Sequence, residues 1–412
     1  MERTILVGVK LKTDFSKDTS LDELVRLCNT AGGEVISVYN VRVEKFNAAY
    51  FIGKGKTQEI AQEVLEEDID AVIFNDEITP AQQKNLEEII PCKIIDRTRL
   101  ILDIFAQRAR TKEGELQVEL AQLNYLLPRL SGKGSAMMQQ KGGIGMRGPG
   151  ERKLECDRRR IRQKIAKLEG EIEAVQKERK VRRARRGEIP LPQVAIAGYT
   201  NAGKSTLLNA LTNYEAAYAD DKLFATLDPT TRRVKLPNGA YILFTDTVGF
   251  IQKLPHSLVS AFRATLEETK FADVILHLID ASSDDIEAHS TTVHSIINEL
   301  EASPISMLDV FNKIDSLTPQ KLAALRRRFK DAVFISAATG EGFGELFKKV
   351  NQIISRKWKE HRLKIPQSKA NLLPLLYSRA LITGRKDNAQ DILIKFLATD
   401  GNFKAILKKL ED

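Results

Sequence analysis

Short apolar runs and longer amphipathic stretches take turns over the first hundred residues. Thr4–Val9, Val35–Val43, Ala71–Phe74 and Lys93–Asp96 are compact apolar or β-branched runs, the pattern of strands in a sheet. Between them, Leu21–Thr30, Thr57–Glu67 and a segment opened by Pro80 carry helical spacing. Ser20 is placed to cap the first of these and Gly32-Gly33 to end it. The alternation predicts a small α/β domain over 1–98 with a mainly parallel sheet. Within it, Gly53-Lys54-Gly55-Lys56-Thr57 imitates the end of a phosphate-binding loop, but the position five before Gly55 is Tyr50, not glycine. A tight turn before a helix, or a basic contact surface, is expected there rather than a second nucleotide site.

From 99 to 187 the rhythm changes. Leu116, Leu120, Leu123, Leu127 and Leu130 step by 4, 3, 4 and 3; Leu154, Ile161, Ile165, Leu168, Ile172 and Val175 step by 7, 4, 3, 4 and 3. These are the seams of two helices packed side by side, and Pro128 kinks or ends the first. Between the seams, residues 131–150 are rich in glycine and carry Lys133, Lys141 and Arg147. Such a loop cannot pack alone and is expected to fold against a partner. The region therefore predicts an antiparallel helical hairpin with a basic binding tip, the alternative for residues 131–150 being a flexible linker.

Arg182-Arg183-Ala184-Arg185-Arg186-Gly187, Pro190 and Pro192 mark the next boundary. Residues 188–358 then return to strands alternating with helices. The strand candidates are Val194–Ala197, Arg233–Leu236, Tyr241–Thr245, Asp273–Ile279, Ser306–Phe311 and Val333–Ser336. This layout predicts a doubly wound sheet with ligands at the strand C-termini. Residues 361–412 are expected to form a small mixed C-terminal domain. The fold class is thus α/β and multidomain.

At 412 residues, 42% hydrophobic and 29% charged, the chain is globular, with room for about two to four cores. Cys28, Cys92 and Cys156 are scattered and odd in number, and the five histidines show no ligand spacing in sequence. Neither a disulfide framework nor a zinc site is expected, and the cysteines fit a reducing cytoplasm. No apolar run suits a signal peptide or a membrane span. The net charge is +9, and Glu151–Gly187 alone carries 15 Lys/Arg against 7 Asp/Glu. A basic stripe of that kind is the footprint of nucleic-acid binding; the bland alternative is a solvated helix face with paired charges.

The chemistry begins after Val194–Ala197. Gly198-Tyr199-Thr200-Asn201-Ala202-Gly203-Lys204-Ser205 fits G-x-x-x-x-G-K-S/T and runs into a helix at Thr206–Leu211. Gly198 and Gly203 let the backbone turn and approach phosphate. Loop amides and the helix N-terminus hold the anion, Lys204 reaches the β- and γ-phosphates, and the Ser205 hydroxyl ligates Mg²⁺. Asn312-Lys313-Ile314-Asp315 follows about a hundred residues later. Asp315 can accept from guanine N1–H and the 2-amino group together, which adenine cannot supply, so GTP is the expected nucleotide. Ser336-Ala337-Ala338 would back the base through loop amides. Asp246-Thr247-Val248-Gly249 ends another strand candidate, with Asp246 on Mg²⁺ through water and the Gly249 N–H on the γ-phosphate.

Between these lies Phe224-Ala225-Thr226-Leu227-Asp228-Pro229-Thr230-Thr231, where a switch threonine should ligate Mg²⁺ only while the γ-phosphate is present. Thr226 is preferred; Thr230 and Thr231 are rivals on spacing alone. Phe250 follows Gly249 where many GTPases carry a water-orienting glutamine. Phenylalanine cannot orient water, so slow intrinsic hydrolysis is expected, with help from a partner. Asn201 offers a ligand for K⁺, whose charge would stand in for an arginine finger.

With these residues in place, the chain resembles the HflX family of translation-factor-class GTPases. The resemblance rests on Gly198–Ser205, Phe224–Arg232, Asp246–Phe250, Asn312–Asp315 and, outside the nucleotide motifs, Gly142–Glu155 and Tyr50–Lys56. The family aligns its Mg²⁺-binding switch threonine with Thr226. The resemblance implies an N-terminal α/β domain, a helical hairpin, a GTPase domain and a small C-terminal domain. It also implies a partner in the large (50S) ribosomal subunit and its rRNA, hydrolysis stimulated by the ribosome, and splitting or rescue of stalled ribosomes. Neither DNA nor membrane is expected as a partner, and a monomer is. Other readings are an assembly checkpoint on the large subunit, an ATP-driven RNA remodeller, which Asp315 argues against, and a nucleotide-gated binding module with incidental hydrolysis.

Overall fold

The computed structural model describes residues 1–13, 20–130, 149–186, 191–212, 224, 227–237, 241–252, 267–299, 305–388 and 390–411. These fall into two compact units. The first holds Met1–Ala174 with Phe224 and Gln252, and the second holds most of the remainder.

In the first unit, β1 (Glu2–Leu11), β2 (Gly33–Val43), β3 (Ala71–Phe74) and β4 (Lys93–Asp96) pair in the order β2-β1-β3-β4, all parallel. The inner strands β1 and β3 are covered on both faces, which is why their sequences are continuous apolar runs rather than alternating ones. Helices α1 (Ser20–Ala31), α2 (Lys54–Glu66) and α3 (Pro80–Ile89) alternate with the strands. Ile5, Val7, Ile60, Val64, Val72, Phe74 and Leu86 form the core between sheet and helices. Thr79 starts α3 with a reciprocal capping box to Gln82, and Pro80 takes the first turn, where its missing N–H costs nothing.

Gly53 precedes α2 at φ 93°, a left-handed conformation open to glycine. Thr57 is fully buried, and its Oγ1 donates back to the Gly53 carbonyl at 3.0 Å. The G-K-G-K-T run is therefore a turn into the core, with its hydroxyl already engaged.

Helix α4 (Arg97–Arg108) is capped by the Asp96 side chain, which accepts from Arg99 N at 2.9 Å. Arg97 is buried, with Asn75 Oδ1 at 2.7 Å, the Gln252 carbonyl at 3.0 Å and the Glu23 carboxylate as partners. Helix α5 (Lys112–Arg129) contains Pro128 in its last turn and ends one residue later. Helix α6 (Pro149–Arg186) follows, and Lys164 on it pairs with Glu119 on α5. On α6, Leu168 is buried and Ile161, Ile165, Ile172 and Val175 are half-buried, while the arginines and lysines around them face water. The periodic apolar positions are thus among the less exposed ones on this stretch of α6.

In the second unit, six strands line up as β10-β9-β8-β5-β7-β6: β5 (Gln193–Gly198), β6 (Thr230–Lys235), β7 (Tyr241–Asp246), β8 (Val274–Asp280), β9 (Ser306–Asn312) and β10 (Val333–Phe334). All pairs are parallel except the edge pair β6–β7. Helices α7 (Lys204–Leu211), α8 (Ile286–Glu299), α9 (Pro319–Arg328) and α10 (Phe343–Lys357) alternate with the strands. The sheet order reverses about β5, so the loop after β5 opens at the switch point where such sheets bind ligands. A three-stranded antiparallel sheet follows, β11 (Trp358–Pro366), β13 (Asp391–Thr399) and β12 (Leu381–Asp387), with α11 (Leu373–Arg379) and α12 (Asp400–Glu411). Ile392, Ile394, Phe396 and Ala398 alternate into its small core. Among the described residues, no helix is long and apolar enough to cross a membrane.

Candidate nucleotide site

The loop after β5 is shaped by close approaches that exclude side chains. A Cβ on Gly198 would lie 2.3 Å from the Leu278 carbonyl oxygen, and one on Gly203, at φ 90°, would lie 2.3 Å from Asn312 Nδ2. Asn201 itself holds a left-handed φ of 62°, accessible to asparagine at modest cost. Lys204 opens α7 and is buried; its Nζ donates to the carbonyls of Gly198 at 3.1 Å and Tyr199 at 2.9 Å. The ammonium is thereby folded over the loop, where phosphate oxygens could replace those carbonyls.

Ser205 Oγ donates to Asp246 Oδ2 at 2.7 Å, so the first turn of α7 and the end of β7 meet at one point. A hydroxyl beside a buried carboxylate is an all-oxygen donor set, which fits a hard cation such as Mg²⁺. Thr247 anchors the following turn by donating to the Ile196 carbonyl at 2.7 Å. Val248 is buried, and Gly249 lies so close that a Cβ there would sit 2.7 Å from Thr200 Cγ2 and 2.9 Å from Lys204 Nζ.

Phe250 then runs alongside the loop. Its N–H donates to the Gly198 carbonyl at 3.2 Å, and its carbonyl accepts from Thr200 N at 2.7 Å. Its ring is 1% exposed and belongs to the core. The side chain that replaces the water-orienting glutamine is held inside, away from any attacking water.

The loop after β9 is joined to the loop after β5 by one residue. Asn312 Nδ2 donates to the Ala202 carbonyl at 2.8 Å, and Asn312 Oδ1 accepts from Ala337 N at 2.8 Å. Lys313 has a left-handed φ of 65° and pairs with Asp280 at 2.8 Å. Asp315 is exposed on the 3₁₀ turn Ile314–Ser316, its carboxylate presented to solvent. Ser336 is buried and its Oγ accepts from Thr339 N at 3.2 Å; Ala337 is buried and Ala338 exposed.

The switch segment is described in part. Phe224 belongs to the first unit, at φ 55°, and its ring meets Phe105 edge-on with centroids 4.6 Å apart. Leu227 is buried and Asp228 half-buried. Ala225 and Thr226 lie outside the described residues. Thr230 and Thr231 begin β6, and Thr231 Oγ1 is 2.9 Å from Thr245 Oγ1. One neighbour of the site carried no signal in the sequence: His289 on α8 stacks on the Tyr199 ring, centroids 3.8 Å apart.

Burial pulls the Lys204 ammonium down to about 8, with Asp246 opposing the shift. Its folded value lies below the 10.5 of a free lysine, so the nucleotide-free fold gains stability as pH rises from about 8 to 10.5. Triphosphate favours the charged ammonium. Nucleotide binding is therefore expected to take up close to one proton at pH 9 and almost none at pH 7. Above about pH 8 its affinity should fall by up to roughly tenfold per pH unit. Calorimetry in buffers of different ionisation enthalpy measures this uptake.

A doubly wound sheet, a phosphate loop at its switch point and a carboxylate-bearing guanine turn define a P-loop GTP-binding protein. Comparison with known proteins narrows this. Residues 18–106 match a GTP-binding GTPase N-terminal model and 108–186 the middle-region model of the same proteins. Residues 193–313 match a model described as 50S ribosome-binding GTPase, and 322–406 the HflX C-terminal domain. GTPase HflX of Caldanaerobacter subterraneus is 53% identical over 77% of this chain and 73% of its own length. That of Escherichia coli is 42% identical over 91% and 88%. Among solved structures, a GDP complex of SsGBP aligns with 86% of this chain and 99% of its own at 25% identity and a TM-score of 0.50. The chain belongs to the HflX family and is a GTPase.

Proposed function

We propose that this GTPase uses GTP to gate its binding to the large (50S) ribosomal subunit and rRNA, and that it splits or rescues stalled ribosomes. The observation that carries the GTP half is the Asn312 side chain, which ties the phosphate loop at Ala202 to the base-backing loop at Ala337. The ribosomal half is supported by the match of 193–313 to a ribosome-binding GTPase model and by the basic face of α6.

In this reading Gly198–Ser205 cradles the phosphates, and Lys204 leaves the loop carbonyls to contact the β- and γ-phosphates. Ser205 and Thr226 would ligate Mg²⁺, with Asp246 reaching it through water. When bound, that ion neutralises charge on the β- and γ-phosphates. The Gly249 N–H would report the γ-phosphate to the Phe250 segment. Asp315 would select guanine, backed by Ser336, Ala337 and Ala338.

Since Phe250 is buried, another group must orient the attacking water, and a ribosome-supplied one is proposed. Asn201 would add a K⁺ ligand, so hydrolysis is expected to run faster in KCl than in NaCl at equal ionic strength; equal rates would remove K⁺ from the account. Subunit separation by the chain with a non-hydrolysable GTP analogue, lost on deletion of 131–150, would support the splitting role. Intact splitting by the deletion variant would refute the role given to the hairpin tip.

A further inference from the structure

We propose that His277, His294 and Asp309 form a second cation site, on the α8 side of the β8–β9 pair, for one borderline divalent metal ion of the zinc class. The three residues are dispersed in sequence, and the fold brings them together. His277 and Asp309 are direct register partners on neighbouring parallel strands, so their side chains share a face of the sheet. His277 Nδ1 lies 2.9 Å from Asp309 Oδ1. His294 projects from α8 onto the same spot, its ring crossing that of His277 edge-on with centroids 5.3 Å apart. One ligand atom from each of the three lies within 4.8 Å of the others.

A tetrahedral zinc ion with bonds of about 2.0–2.1 Å sets its ligands about 3.3 Å apart. The His277–Asp309 pair is already near that spacing. His294 must close by at most about 1.5 Å to reach it, within reach of a side-chain rotation. His277 is almost fully buried, whereas 43% of the Asp309 side chain is exposed, so an ion has a route in and water can complete its shell.

Two imidazole nitrogens and one carboxylate oxygen favour zinc, cobalt or nickel over magnesium. The site is thus chemically distinct from the oxygen donors at Ser205 and Asp246. It sits on strands that also serve the nucleotide: three residues further on, β8 reaches Asp280, the partner of Lys313, and β9 reaches Asn312. An ion here would pin these two strands and α8 together and stabilise the folded chain by mass action.

The test uses the full, nucleotide-free chain, stripped of metal and titrated with Co²⁺ and then Zn²⁺. Expected are one equivalent bound, the visible absorption of low-coordinate Co²⁺ without thiolate charge transfer, displacement by Zn²⁺, and a higher Tm with Zn²⁺. His294→Ala and Asp309→Asn should each weaken binding at least about tenfold and abolish the Tm rise, while Ser205→Ala should bind as the parent does. Circular dichroism establishes that each variant is folded, and Asp309→Asn keeps the side-chain volume. Absence of stoichiometric binding in the parent chain would overturn the proposal. So would binding that both variants retain, or binding that only Ser205→Ala loses.

Discussion

Asp315→Asn is expected to lower kcat/KM for GTP by about 10²–10³-fold and to raise turnover of xanthosine triphosphate. The Asp315 carboxylate is exposed on its turn and can receive N1–H and the 2-amino group of guanine at once. Two hydrogen bonds to a charged acceptor contribute about 3–4 kcal/mol together, which converts to that fold-change. An amide keeps one acceptor but turns a donor toward the 2-amino group, leaving two donors face to face. Xanthine has a carbonyl at that position and pairs with the amide instead. Asn312 remains in place, so the phosphate loop keeps its support and the variant should stay folded. A steady-state comparison of the two nucleotides measures the switch, and an unchanged preference for GTP would take Asp315 out of base recognition.

Gly249→Ala is expected to reduce GTP turnover by at least about 10²-fold while GDP affinity changes by less than about tenfold. The added Cβ would stand 2.7 Å from Thr200 Cγ2, 2.9 Å from Lys204 Nζ and 3.0 Å from Thr200 Cα. Two of those atoms are in the loop residue Thr200, whose N–H also bonds the Phe250 carbonyl. Relief therefore requires that the Phe250 segment peel away from Gly198 and Thr200, or that Thr200 shift together with Lys204. Both changes fall on the proposed γ-phosphate side, whereas Asp315, the proposed guanine contact, is untouched. The magnitude matches the loss of one preorganised electrostatic contact in a transition state. Single-turnover hydrolysis and GDP titration together separate the two sides. Parental turnover would show that Gly249 does not approach the nucleotide closely enough to matter.

Much of the fold was legible because it is local. Ala71–Phe74 is a strand at the predicted residues, since a four-residue apolar run bounded by turns is too short for a helix and suits a strand buried on both faces. Among the described residues of α6, Leu168 is buried and Ile161, Ile165 and Ile172 half-buried, as their apolar spacing predicts. The phosphate loop and Asn312–Asp315 were legible because each sits at a strand end with fixed spacing. What the sequence hid depends on residues far apart in the chain. Asn312 reads only as the first residue of the N-K-x-D run, yet its amide bonds both Ala202 and Ala337. Nothing in the phosphate-loop pattern announces that Tyr199 stacks on His289. Thr57 reads as part of an imperfect phosphate loop until its hydroxyl is found bonded to Gly53. The histidines show no ligand spacing in sequence because His277, His294 and Asp309 meet only through sheet register and helix packing.

The buried Phe250 ring is the point on which the proposed function turns, because it stands at the position where many GTPases carry a water-orienting glutamine. The direct test is GTP hydrolysis by the purified chain, alone and with purified 50S subunits, at saturating Mg²⁺. The account predicts slow turnover alone and a rise of at least about tenfold with 50S, since groups supplied in trans to such sites contribute about 10³–10⁵. It also predicts that 30S subunits leave the rate unchanged. Fast turnover without any partner, or a rate indifferent to 50S subunits, would contradict it.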